Sequence, residues 1–309
     1  MTLSAVIPAT DRPPTLERVL DALTRAASPP EEVIVVDEPR QLGPAAARNV
    51  GMRRAMGDVV VFLDADVEPH ADAFTRIRKA FDDDDGLTAV FGSYDDDPGG
   101  GTIVSDFRNL LHHHVHHEGA GVATTFWAGL GAVRREALLA VDGFDERRFP
   151  HASIEDIELG VRLHRAGARI TLDPAIQGKH LKAWTFVGMT STDLLRRGVP
   201  WLRLLLEGGS HSTALNLGWR QRAATGASVT LLSGLAKRNA RLAAASLALL
   251  LILDGRFYRL LFRRRGLAFA AVGVPLQIAH RITSAAAVPL ALAAHLFDRR
   301  PTRSQSRPQ

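Results

Sequence analysis

The chain of 309 residues is long enough for one large α/β domain with an appendage, or for two domains. Its 46% hydrophobic and 23% charged content excludes a disordered chain and a multi-span transporter, and zero Cys excludes disulfides, zinc–thiolate sites, iron–sulfur clusters and thiol nucleophiles. The net charge of +5 hides a split, because residues 1–190 hold 20 basic and 29 acidic side chains while residues 191–309 hold 18 and 4. An acidic first part is a poor footprint for a phosphate backbone, so no nucleic-acid partner is expected.

Met1–Ala9 lacks the basic start of a secretory signal and reads as a strand, with the apolar run Leu3–Ile7 stopped by Pro8. A helix is predicted from Leu16 to Arg25. Glu32–Asp37 is a β-branched strand ending in a carboxylate. Pro44–Met56 reads as a helix with a small-residue face, and Asp58–Asp64 as an unbroken apolar strand covered on both faces. The alternation predicts a doubly wound α/β domain. The acidic, Gly-rich stretch Asp82–Gly101 reads as solvated loop at the sheet edge. Helices are expected from Ser105 into the histidine cluster, from Arg134 to Val141 and from Ile154 to Ala166, with a further strand at Arg169–Leu172.

Beyond residue 190 the apolar runs Leu242–Leu253, Leu267–Ile278 and Ala285–Leu296 alternate with Arg-rich knots. Each is shorter than the ~18–20 residues of a straight bilayer span. They read as one interrupted span, a re-entrant hairpin or helices lying in the interface of an anionic membrane, with a soluble bundle as the alternative. The tail 299–309 reads as disordered. The expected division is therefore a catalytic domain over 1–190, a basic helical membrane-associated region over 191–298, and the tail.

In an open α/β sheet, ligands bind at the carboxyl ends of the strands. Here those ends carry Pro8 and Ala9, then Asp37, then Asp64-Ala65-Asp66. Two carboxylates one residue apart after a buried strand suit a divalent ion, since Mg²⁺ is typically held by one or two carboxylates plus substrate phosphates. The alternative is an Asp-rich turn capping a helix.

These stretches, together with Gly43–Gly51, Phe126-Trp127-Ala128-Gly129, Gly143–Glu146 and Ile154–Gly160, resemble the family 2 glycosyltransferases over roughly residues 3–185. The resemblance implies a GT-A-type mixed sheet and an inverting enzyme of the membrane-associated bacterial type. It implies Mg²⁺ or Mn²⁺, a nucleotide-diphospho sugar donor, and a lipid or cell-envelope glycan acceptor at the cytoplasmic face of the cell membrane. It assigns Asp66 to the metal and Asp64 to the ribose or the metal's water shell. Asp37 would hold the base or ribose, Pro8 and Ala9 would line the base, and Arg48 would meet phosphate. Asp156 of the Glu155-Asp156 pair would be the catalytic base, Trp127 and Gly129 would lie on the acceptor side, and His180 near the metal and diphosphate.

Asp37-Glu38-Pro39 departs from the Asp-Asp-Gly-Ser common in the family, and the Gln-X-X-Arg-Trp element of processive members is missing near Arg196–Trp201, which favours single-sugar transfer. His112–His117 contains i, i+4 pairs, but Glu118 falls outside them, so zinc-hydrolase spacing fails and a helix lining the acceptor cleft is expected. A nucleotidyltransferase would need a Gly-rich loop after the first strand, where Pro8–Pro14 has none. An inactive membrane scaffold would be expected to lack Asp66 or Asp156, and both are present.

Overall fold

The computed structural model describes residues 1–208 and 218–298. Three apolar runs form parallel strands β1 (Leu3–Pro8), β2 (Glu32–Val36) and β3 (Val59–Leu63), with β1 between the other two. Helices α1 (Leu16–Thr24) and α2 (Pro44–Arg54) make the crossovers. Successive side chains of a strand face opposite ways. Leu3, Ile7, Val61 and Leu63 accordingly join one core, and Val6, Val60 and Phe62 the other.

The chain continues through β4 (Val67–Pro69), α3 (Ala73–Asp82), β5 (Leu87–Tyr94), α4 (Ile103–Glu118), β6 (Gly121–Ala123), β7 (Leu130–Arg134), α5 (Arg135–Ala140), α6 (Glu155–Arg165) and β8 (Arg169–His180). The eight strands form one mixed sheet in the order β2-β1-β3-β7-β5-β8-β4, with β6 paired to β8. Strand β7 runs antiparallel to β3 and β5, and β4 antiparallel to β8.

The stretch expected to be loop at 82–101 contains β5, a central strand whose residues are nearly all buried. Acid clusters on either side, Asp82–Asp85 and Asp95–Asp97, dominate the composition of that window and mask the apolar run Leu87–Phe91. Strand β7 was not anticipated either, because its glycine and alanine dilute the β-branched signal.

The C-terminal part is helical: α7 (Phe186–Ser191), a π-helical turn (Thr192–Gly198), α8 (Val199–Leu206), α9 (Trp219–Ala236), α10 (Ala240–Leu253) and α11 (Gly255–Asp298). Among the described residues no helix is long and apolar enough to cross a membrane. The last two apolar runs, read from sequence as one interrupted span, a re-entrant hairpin or interfacial helices, belong to one helix, whose break at Gly266 (φ 81°, a conformation glycine adopts freely) precedes both. Between those runs Arg281 is buried against Asp254 at 2.7 Å, with Gln277 bonded to the same carboxylate. The helix therefore turns its polar middle inward.

The boundary expected at 190 lies within continuous helix, and the catalytic and C-terminal parts share a core: Phe107, Leu110 and Leu111 of α4 pack with Phe257, Leu261 and Leu276 of α11. Asp193 adds a polar clamp, pairing with Arg108 at 2.7 Å and His280 at 2.9 Å. The tail expected to be disordered lies outside the described residues.

Candidate active site

The carboxyl ends of β1 and β3 and the start of α6 meet at one edge of the sheet. Asp64, Ala65 and Asp66 form a tight turn closed by the Val67 N–H donating to the Asp64 carbonyl at 3.0 Å. The turn leads into β4, not into a helix, so the capping alternative fails; α3 starts only at Ala73. The Thr15 hydroxyl donates to the Ala65 carbonyl and the Leu181 N–H to the Asp66 carbonyl, pinning the turn from both sides.

Pairing of β4 with β8 places Val67 opposite His180, which brings the His180 ring beside Asp66. His180 Nε2 stands 3.7 Å from Asp66 Oδ2, with the His180 side chain 5% and that of Asp66 26% exposed. Burial pushes the Asp66 carboxyl up, but His180 and Lys182 outweigh it and hold it below the usual aspartate value. Among the described residues no three His, Asp or Glu side chains form a ready-made metal cage. Two protein ligands facing each other beyond hydrogen-bond reach do fit an ion whose remaining sites are filled by substrate phosphates and water.

Arg48, which the resemblance assigns to phosphate, lies within a network of ion pairs. Its side chain is 5% exposed and forks between two carboxylates, donating to Asp64 at 2.7 Å and to Glu155 at 2.9 Å. A planar guanidinium is suited to such a fork. Glu155 also accepts from the Ser153 N–H at 2.7 Å, so both its oxygens are engaged. Asp64 keeps one oxygen free of Arg48, and burial, with Asp66 nearby, pushes its carboxyl up against the Arg48 charge.

Asp156 follows Glu155 in the first turn of α6. Its oxygens accept from the Ala128 N–H at 3.1 Å and the Ile157 N–H at 2.8 Å. Burial and the Glu155 charge push its carboxyl up to about 6, opposed by Arg48 and the two backbone donors. The Ala128 contact ties Asp156 to the Phe126–Gly129 loop, while Glu155 and Arg48 tie it to the Asp64 turn. Both acidic elements thus belong to one network of contacts.

Trp127 follows Phe126 in the same loop, with its ring 5.0 Å from Tyr94, 4.8 Å from His112 and 5.3 Å from His116. Gly129 lets the ring lie there, since a Cβ at that position would come within 2.3 Å of it. The histidine cluster packs and hydrogen-bonds as expected: His113 bonds the Tyr94 carbonyl at 2.9 Å and His116 that of Gly92 at 2.8 Å. Burial lowers His112 well below the usual imidazole value and His116 to about 4, so both are neutral near pH 7. Asp37 lies at the outer lip, 47% exposed and 3.4 Å from Arg12, with Pro8 and the buried Ala9 behind it.

Sequence reasoning did not find Tyr94, which stacks on His180 at 4.2 Å, nor Asn109, whose side chain meets the same ring. Tyr94 is hidden by its acidic neighbours, and Asn109 by the histidines that follow it.

A mixed sheet with an Asp-X-Asp turn at the end of β3 and a carboxylate in the first turn of α6 is the arrangement of the GT-A fold. The fold is that of the mannosyltransferase PcManGT from Pyrobaculum calidifontis in complex with GDP-Man and Mn²⁺, at TM-score 0.53 and 18% identity over 96% of this chain and 88% of that one. Glucosyl-3-phosphoglycerate synthase from Mycobacterium tuberculosis in complex with phosphoglyceric acid aligns at TM-score 0.44 and 19% identity, over 62% and 75%. No curated protein matches the sequence. Residues 37–141 match the family model described as Glycosyl transferase family 2.

Proposed function

We propose that the protein is an inverting, divalent-metal-dependent transferase that moves one sugar from a nucleotide-diphospho sugar to a hydroxyl of a membrane lipid or cell-envelope glycan. The observation that carries this reading is the joining of two elements in one network of contacts: Asp66 with His180, and Asp156 with its carboxyl raised to about 6.

In this reading Asp66 and His180 hold Mg²⁺ or Mn²⁺ against the donor's diphosphate. When bound, the ion neutralises charge on the nucleoside diphosphate leaving group. Asp64, oriented by Arg48, hydrogen-bonds the ribose or the ion's water, and Asp37 with the Pro8–Ala9 backbone takes the base and ribose. Trp127 gives the acceptor an apolar face. Asp156 accepts the proton of the attacking hydroxyl on the face opposite the leaving group, a single displacement that inverts the anomeric carbon. A base titrating near 6 is deprotonated at neutral pH yet keeps useful basicity.

We also propose that the C-terminal helices lie on an anionic membrane surface at the cytoplasmic face. The net excess of basic residues beyond 190 supports this, as do the exposed Leu249, Ile252, Phe262 and Leu267 set among Arg259, Arg263 and Arg264.

A thermal-shift screen of nucleoside diphosphates with and without Mn²⁺ tests the core of the proposal. Binding to the native state raises its melting temperature by mass action. The expected result is stabilisation by one nucleotide only with Mn²⁺, lost in Asp66→Asn. Equal stabilisation without the ion, or in the variant, refutes it.

A further inference from the structure

The His180 ring is held on three sides before any ion arrives. Tyr94 stacks on it with planes 8° apart and centroids 4.2 Å apart, which fixes the ring plane. Strand pairing opposite Val67 fixes its backbone. The remaining freedom is the choice of tautomer, and that is decided from α4.

Asn109 is 1% exposed and makes two contacts to His180 alone: its Oδ1 lies 2.6 Å from Nδ1, and its Nδ2 donates to the His180 carbonyl at 3.4 Å. The two contacts settle each other. A carbonyl oxygen can only accept, so the amide nitrogen must face it, and the amide oxygen must then face the ring. An oxygen acceptor at 2.6 Å requires the proton on Nδ1. Nε2 is left as a lone pair directed to the Asp66 side. Metal-bound histidines are commonly oriented in this way by a partner on the far ring nitrogen, whose loss typically weakens metal affinity 10–100-fold.

Resting on the metal-dependent reading above, we propose that Asn109 is a positioning residue that sets the His180 tautomer and thereby prepares Nε2 to bind the divalent ion opposite Asp66. A neutral amide in this place adds no charge, where a carboxylate would add a fourth negative group beside Asp64, Asp66 and the donor's diphosphate. It also couples the ion site to α4, the helix that carries His112 and His116 to Trp127.

The direct test is long-range ¹H–¹⁵N correlation NMR of the imidazole rings in the metal-free full chain, with His180 assigned by its loss in His180→Gln. The expected pattern is the Nδ1–H tautomer; the Nε2–H tautomer or a doubly protonated ring overturns the proposal. Mn²⁺ binding, followed by electron paramagnetic resonance with Mn²⁺ alone and with UDP or GDP, gives the second readout. Asn109→Leu is expected to weaken binding about 10–100-fold, and Asn109→Asp, which keeps the acceptor, to restore most of the loss. Wild-type affinity in a folded Asn109→Leu overturns the role of Asn109. The controls separate the two levels, because His180→Gln and Asp66→Asn binding Mn²⁺ like the wild type would bring down the metal reading itself. Weak binding in those controls with normal binding in Asn109→Leu would remove only the present inference.

Discussion

Arg48 is the position where a single change reports most on the site. Replacing it by Met keeps the volume but leaves Glu155, whose side chain is 6% exposed, without its cation, and frees Asp64 on the other side. Breaking a buried ion pair by removing one partner costs about 3–5 kcal/mol. For a chain of this size, that is a fall of roughly 5–8 °C in Tm. The pH dependence is the sharper part of the prediction. Arg48 lowers the titration of both Asp64 and Asp156, so without it these carboxyls take up protons at higher pH. Protonation relieves the uncompensated charge, and the Tm gap between wild type and Arg48→Met should narrow from pH 8 to pH 5. In parallel, the acid limb of kcat/KM, expected near pH 6 in the wild type, should move upward. Melting curves by circular dichroism across pH, with a nucleotide-release assay on the same samples, measure both. A Tm gap that is constant with pH, or an unmoved acid limb, would refute the view of Arg48 as the charge that sets these carboxylates.

Asp156→Asn should lower kcat/KM by about 10²–10⁴ while leaving Mn²⁺-dependent nucleotide binding intact. A carboxyl raised to about 6 in the fold, from an ordinary 3.8, destabilises the protein progressively as pH rises through that interval. The Asn variant should therefore be more stable than the wild type at pH 7–8, by up to about 3 kcal/mol, with no advantage below pH 4. Gly129→Ala forces a methyl into the Trp127 ring and should cost about 1–3 kcal/mol, raising the acceptor KM with little change in the donor KM. Co-sedimentation with vesicles containing phosphatidylglycerol should fall steeply between 50 and 500 mM salt and be weak with phosphatidylcholine alone, because screening removes the contribution of the basic helices.

Legibility from sequence followed how local each signal was. Strands β1, β2 and β3 were readable because runs such as Val59–Leu63 are apolar without interruption, and the acids that end them stand at the places where an open sheet binds ligands. Strand β5 was not, since its composition is diluted by flanking aspartates, and only pairing with β7 and β8 shows it to be central. The same distinction governs the site. The Asp64-Ala65-Asp66 pair stands out by type and spacing, and Asp156 is singled out only by the family resemblance, whereas the placement of Arg48 between Asp64 and Glu155 depends on a contact 107 residues away. Asn109 carries no local signal at all; its meaning comes from a ring 71 residues further on. The three apolar C-terminal runs left several arrangements open because hydropathy averages along the chain and ignores which face of a helix is covered.

The shared core between α4 and α11 has a practical consequence. Phe107, Leu110 and Leu111 are covered by Phe257, Leu261 and Leu276, and Asp193 ties Arg108 to His280. A gene fragment ending at residue 190 would strip this cover from the helix that braces His180 and Trp127. Trimming the protein to its sheet to gain a smaller, better-behaved enzyme should yield aggregate, whereas trimming that spares everything up to the end of α11 should be tolerated.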